Sequence, residues 1–573
     1  MKITKLVLGV GVALALSSCG TNKTAVSSNE TTTTSVATTK HHVMQIATDN
    51  VVGKKGEMSD ADFQRWAHMD VFTDSVPGMS LDKAYDFLKG KKGETVIVGV
   101  IDSGIDIEHE DLKNVVWTNE DEIPNNGKDD DNNGYIDDVH GWNFLGGENG
   151  TTAPEQLEIT RIVAKLMPKY ANKTADQIAD ADKEEFAYFT KLQEEVASEY
   201  KNAVGQKAFY EGMINTVKGA DEAIAKALGK KEYTVDDLTD LAASEEINEQ
   251  AKGMIMRILA SGSSVEEGLS GVQRGVDHFS GQADFNYNVD FKGRVTGDNP
   301  DDFSDNKYGN NYIIGSKDGE IHGTHVSGII CAERNNGVGM NGVAHNVALM
   351  SVRAVPDGDE YDKDVALAIR YAVDNGAKVI NMSFGKSYSS HPEWVYDAIK
   401  YAEEKDVLLV HAAGNDSKDI DVEDNFPNDS KDKVNEFADN VITVGAMSRT
   451  YGDDLLASFS NYGIYNVDIF APGHQIYATF PKDEYQAISG TSMASPEVAG
   501  VAALVRSYYP SLTASQVKNV LMDSGITYHK EVKAPADRGA KAVMKDFDSL
   551  SVSGRILNAY NALILADQIV NGN

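Results

Sequence analysis

Residues 488–500 read ISGTSMASPEVAG. Apolar residues follow at helical spacing (Val498, Val501, Leu504, Val505), which predicts a helix through this stretch. Proline lacks an N–H and is best tolerated in a helix's first turn, so Pro496 predicts a helix start near Ser492. A hydroxyl at that point, behind Gly490 and among small neighbours, is accessible. It also lies where unpaired N–H groups and the helix dipole favour negative charge. The position suits a nucleophile whose product is an oxyanion. It suits a helix cap as well, and the cap is the commoner use of serine. The reading therefore depends on partners.

Two other segments supply them. TVIVGVIDSGID (95–106) ends an apolar, β-branched run at Asp102, and IHGTHVSGIICA (321–332) sets His322 at the start of a second apolar helix. A carboxylate at the C-terminal tip of a parallel strand faces the crevice where such sheets bind ligands. A serine hydroxyl becomes a good nucleophile when an imidazole takes its proton. A carboxylate fixes that imidazole's tautomer and stabilises its charged form.

VIDSGID, HGTHVSG and GTSMASP, in that chain order, resemble the three signature segments of the subtilisin-like serine proteases, the subtilases. The resemblance covers about residues 60–147 and 286–566. It implies an α/β fold: a doubly wound, mostly parallel sheet flanked by helices. It also implies a serine endopeptidase in which Asp102 orients, His322 acts as base and then acid, and Ser492 attacks. The segment LLVHAAGND matches the family's oxyanion side chain at Asn415. By the same resemblance Ser383, Phe384 and Gly385, with Ala412, Ala413 and Gly414, line the cleft and pair an extended protein or peptide substrate. A catalytically idle subtilase scaffold is the alternative. The presence of Asp102, His322, Ser492 and Asn415 together argues for the enzyme.

Strand-like runs (VALMSVRAV, KVINMSF, VLLVHAAG, VITVGAM) alternate with amphipathic stretches such as DKDVALAIRYAVDNG, as a parallel α/β sheet requires. The texture changes over 148–285, which is rich in Ala, Glu and Lys. Apolar positions there recur at helical spacing (Phe186, Phe189, Leu192, Val196, Tyr200), and Thr174/Gln177 and Ser264/Glu267 read as capping boxes. Thr513/Gln516 reads as a third. We expect an all-helical insertion dividing the catalytic domain into 60–147 and 286–573. It separates Asp102 from His322 by more than two hundred positions, where relatives use a few tens. A lid, a partner-binding module and a spacer are all compatible with it.

The chain has 573 residues and a formal charge of −35, which opposes nucleic-acid binding. MKITKLVLGVGVALALSSC begins with Lys2 and Lys5, continues apolar from Leu6 to Leu16, and ends LSSC. This pattern predicts a signal peptide over 1–18 and resembles a bacterial lipobox, with Cys19 lipidated. The layout as a whole resembles subtilase lipoproteins of Bacteroidetes-type bacteria. Residues 19–59, Ser/Thr-rich at first, read as a flexible tether to a lipid bilayer. The expected location is the bacterial cell envelope, anchored to the outer membrane, with the face left open. The other cysteine is Cys331, so an acylated Cys19 leaves no disulfide.

The acidic stretch NNGKDDDNNGYIDDVHGWNF carries Asp129, Asp131, Asn133, Gly134, Asp137 and Asp138. Oxygen donors at positions 1, 3, 5 and 9 around a turn glycine resemble the start of an EF-hand calcium loop, although His140 stands where its closing glutamate would be. A structural calcium ion is expected here, against the simpler reading of a solvated acidic turn. Asp111, with Asn335 and Asn336, matches a second calcium position of the family at imperfect spacing.

Overall fold

The computed structural model describes residues 43–572, apart from 49, 149, 245–246, 318–320 and 536–540. The expected signal peptide, Cys19 and the first part of the tether lie outside the described residues. From Met44 on the chain forms one unit.

The β-branched runs become strands β1 (Val96–Asp102), β2 (Gly141–Asn143), β3 (Val347–Arg353), β4 (Val379–Met382), β5 (Leu408–Ala412), β6 (Val441–Met447) and β7 (Ile469–Pro472). β8 (Ile476–Phe480) and β9 (Glu484–Ile488) form a separate antiparallel hairpin. β10 (Ile526–Thr527) and β11 (Arg555–Ile556) close one edge of the main sheet. The order is β10-β11-β7-β6-β5-β4-β1-β3-β2, parallel throughout except for β10–β11.

The principal helices are α1 (Glu158–Tyr170), α2 (Lys183–Leu228), α3 (Glu249–Ala260), α4 (Val265–Gly281), α5 (Ile321–Cys331), α6 (Asp362–Asp374), α7 (Pro392–Glu404), α8 (Thr491–Tyr508) and α9 (Ala559–Asn571). Val98 and Val100 of β1 pack with α5 and α8, whereas Ile101 packs with α6 and α7. Alternation along the strand thus feeds two cores, and both faces of the sheet are covered. This is why β4, β5 and β6, buried at every position, read as continuous apolar runs.

Helices α1 to α4 occupy the stretch expected to be an insertion. Phe189, Leu192 and Val196 of α2 are buried against α1. Tyr200, expected on the same face, is 43% exposed because the α2–α1 contact has ended by then. Farther along, α2 packs with α3 and α4 in a second small core around Val217, Ile224 and Ile255. Ser264/Glu267 and Thr513/Gln516 form reciprocal capping boxes, whereas Thr174/Gln177 caps a single 3₁₀ turn.

A buried ionic cluster fastens α1 to the catalytic body. Arg161 pairs with Glu158 and donates to the carbonyls of Gln156 (2.8 Å), Asp359 (2.8 Å) and Glu360 (3.0 Å). Lys386 Nζ reaches Asp362 (2.9 Å), the Glu360 carbonyl (2.8 Å) and Glu158 (3.4 Å). Burial works to raise the Glu158 carboxyl, yet the Arg161 and Lys386 charges hold it below the usual carboxylate range. Residues 153–156 also lie along 357–359, with Glu155 N–H donating to the Asp357 carbonyl at 2.9 Å.

Residues 45–48, expected to belong to the tether over 19–59, are bonded to the catalytic body instead. Thr527 N–H donates to the Ile46 carbonyl at 2.8 Å and Asn561 Nδ2 to the Gln45 carbonyl at 2.9 Å, with Ala47 bridged to Thr527. The open edge at β10 offers unpaired backbone groups, and this segment satisfies them.

Removing Arg161 leaves the buried Glu158 carboxylate with Lys386 at 3.4 Å as its remaining cation. Arg161→Ala is expected to cost about 3–5 kcal/mol and to expose the 149–290 region to proteolysis, read by thermal melting and limited digestion. An unchanged melting curve contradicts the anchoring role.

Candidate active site

β1 delivers Asp102, 1% exposed, to the rim of the sheet. Its Oδ1 lies 2.8 Å from His322 Nδ1 and accepts the Ser103 N–H at 2.7 Å. His322 is the second residue of α5, and that helix comes close to the β1 turn because position 323 is glycine. A Cβ on Gly323 would lie 2.3 Å from the Gly104 carbonyl oxygen. Burial opposes charging of the His322 ring, but the charge and hydrogen bond of Asp102 outweigh it and raise the imidazole above its ordinary range. The side chain stays 39% exposed, so solvent reaches the ring.

Strand register brings the serine to the same rim. Ile101 of β1 pairs with Met382 of β4, which makes Asp102 and Ser383 neighbours one step on. Ser383 is joined to Ser492 twice: Ser492 Oγ donates to the Ser383 carbonyl at 3.1 Å, and Ser383 Oγ donates to the Ser492 carbonyl at 2.9 Å. The second bond explains Pro496. Helix α8 starts at Thr491, so Pro496 sits beyond the first turn where it was expected, and its missing N–H would have served the Ser492 carbonyl. Ser383 supplies that donor. Among the described residues Ser492 makes no hydrogen bond to His322.

Asn415 lies beside α8. Its Oδ1 accepts from Thr491 N–H (2.8 Å) and Thr491 Oγ1 (3.1 Å), which fixes the amide and leaves Nδ2 as a donor. Gly414 holds this turn at φ +100°, and a Cβ there would meet Asn461 Nδ2 at 2.4 Å. Ser383, Phe384, Gly385, Ala412, Gly414, Asn415 and Ser492 line one cavity of about 840 Å³. Ala413 does not. It is buried in the core beside Ile420 and Tyr462, because strand alternation turns its side chain inward. The lining also includes Glu195, Glu199 and Phe279 of the helical insertion, which motif reading did not supply.

The acidic loop folds around its own donors. Asp129 accepts from Asn133 N–H and Gly134 N–H, and Asp131 from Asn133 and Asn119. Asp138 is fully buried, bonded to Asn119, Asn133 and Tyr371, and burial pushes its carboxyl up to about 6. Asp137 points elsewhere: its two oxygens accept Asn126 N–H and Gly127 N–H. Glu122 takes its place. Carboxylate oxygens of Glu122, Asp129 and Asp131 lie within 4.8 Å of one another, and Glu122, 6% exposed, keeps one oxygen without a partner. The acidic run before the loop was the available signal for Glu122. His140 turns to the Trp117 carbonyl at 2.8 Å. At the other expected position, Asp111 spends its two oxygens on Asn336 Nδ2 (2.6 Å) and Met340 N–H (3.1 Å), which closes that loop by direct hydrogen bonds.

A parallel α/β sheet carrying an Asp–His pair and a helix-start serine at one rim has the layout of a serine peptidase. The chain belongs to the Subtilase family, whose model matches residues 93–543. It is 42% identical over 207 residues to the thermophilic serine proteinase of Bacillus sp. (strain AK1), covering 36% of this chain and 46% of that one. It is 38% identical to subtilisin DY of Bacillus licheniformis over 36% of this chain and 70% of the relative. Among solved structures, proteases from Pseudoalteromonas arctica align at 29% identity and a TM-score of 0.33, over 43% of this chain and 70% of theirs.

Gly323→Ala is expected to push α5 off the β1 turn and break the Asp102–His322 bond. Proton NMR reads this directly: the downfield His322 Nδ1–H resonance should vanish or shift, and a resonance unchanged from the wild type contradicts the packing argument.

Proposed function

We propose that this chain is a serine endopeptidase that hydrolyses peptide bonds through an acyl-enzyme on Ser492. The observation that carries the reading is the 2.8 Å Asp102–His322 pair, one strand step from the residue that holds Ser492. Substrate backbone lies along Ser383–Gly385. Ser492 Oγ rotates from the Ser383 carbonyl toward His322 Nε2 and attacks the scissile carbonyl carbon, and His322 takes the hydroxyl proton. The carbonyl oxygen becomes an oxyanion that receives Asn415 Nδ2–H and the Ser492 N–H, donors set before the charge develops. The C–N bond breaks as His322 returns the proton to the leaving amine. Water, deprotonated by the same imidazole, then releases the acid and restores Ser492.

Asn415→Ala is expected to lower kcat about 10²- to 10³-fold with KM little changed, and Ser492→Ala to abolish turnover of a peptide substrate. Equal kcat in the Asn415 variant contradicts the oxyanion assignment. One observation favours a binding-only scaffold, namely that Ser492 donates to Ser383 and not to His322. Peptide binding by wild-type protein with no hydrolysis would establish that second reading.

The acidic loop is read as a calcium site built by Glu122, Asp129 and Asp131, with Asp138 and Asn133 behind them. The unpartnered, buried Glu122 oxygen supports it, and an all-oxygen donor set suits a hard cation. Chelation is expected to lower the melting temperature and added calcium to restore it, with roughly 3 kcal/mol at stake at a hundredfold excess over Kd. No shift in wild type, or the same shift in Glu122→Gln, contradicts the site. Lipid attachment through Cys19 in a bacterial envelope belongs to the same reading and rests on the leader motif alone.

A further inference from the structure

We propose that the helical insertion is the specificity wall of the cleft, and that Glu195 and Glu199 select peptides with Lys or Arg on the segment lying along Ser383–Gly385. This deepens the peptidase reading and rests on it.

Three observations converge. Glu195 and Glu199 line the same cavity as Ser492, Ser383 and Asn415, although all three lie far away in the chain. The helix that carries them is fixed: Phe189, Leu192 and Val196 on the neighbouring face of α2 are buried, Tyr388 packs on that cluster, and its hydroxyl donates to Glu195 Oε2 at 3.2 Å. The Arg161–Glu158–Lys386 cluster anchors the adjoining α1 to the segment that follows β4 and carries Gly385.

The charge balance of the cavity is acidic. Lys386 is consumed by Glu158 and Asp362, and Glu360 is buried within that cluster. Lys418 and His278 are the other basic side chains in the lining, against the carboxylates of Glu195, Glu199, Asp359 and Asp416. Like charges four residues apart weaken a helix by about 0.2–0.5 kcal/mol, so the Glu195–Glu199 pair is not there for helix stability. A partly enclosed cleft with paired carboxylates on one wall complements a cationic side chain, and complementarity of this kind governs selection more than raw affinity.

The test uses full-length protein and coumarin-amide peptides, in which every variable residue lies on the acyl side. Wild type should favour Lys or Arg over norleucine by about tenfold or more in kcat/KM at one position, with the preference shrinking as salt rises. Glu195→Gln/Glu199→Gln should flatten the ratio, and Glu195→Lys/Glu199→Lys should turn it toward Glu. Circular dichroism verifies that the variants keep their fold. No basic preference in a wild type that a fluorophosphonate labels at Ser492 overturns this proposal alone. A preference unaltered in the reversed variant also overturns it. Absence of labelling overturns the peptidase reading beneath it.

Discussion

The contact between Asp102 and His322 organises this molecule. It needs a buried carboxylate at the end of a central strand, and a helix whose first turn comes within a carbonyl's width of the same strand end. A side chain at position 323 would prevent that approach, which makes this glycine a requirement of packing and not of turn conformation. The parallel sheet then sets Ser383 beside Asp102 by register, and Ser383 holds the carbonyl that Pro496 leaves without a partner. Pro496 and Ser383 thereby fix the position of Ser492 together. The Asp102–His322 bond is in place in this structure, whereas Ser492 Oγ is turned to the Ser383 carbonyl.

Much of this was legible in the sequence because the signals are local. β-branched runs, glycine-flanked polar residues and reciprocal caps each depend on a few neighbours, so the strands, the helix starts at His322 and Ser492, and the boxes at Ser264 and Thr513 could be read directly. What was not legible depends on long-range contact. Ala413 looks like its cleft-lining neighbours until strand alternation turns it into the core. Asp137 fits a calcium-loop pattern, but the loop's own N–H groups claim its carboxylate and leave Glu122 to face Asp129 and Asp131. Residues 45–48 look like a tether because nothing local reveals the open sheet edge they cover.

The insertion illustrates the same limit at larger scale. Its helices could be read from periodicity and caps, but not where they would sit. The deciding residues, Arg161 and Lys386, are ordinary basic side chains in sequence and become informative once both are seen around Glu158. Their cluster ties α1 to the catalytic body, and residues of α2 and α4 line the cavity that holds Ser492.

The central claim is that His322 activates Ser492. The direct measurement is the rate of fluorophosphonate labelling at Ser492 as a function of pH. The rate should fall as His322 becomes protonated, with a midpoint above the ordinary imidazole range because Asp102 favours the charged ring. His322→Ala should remove this dependence along with most of the rate. Labelling that proceeds equally fast in the His322 variant, or shows no acid limb in the wild type, would contradict it.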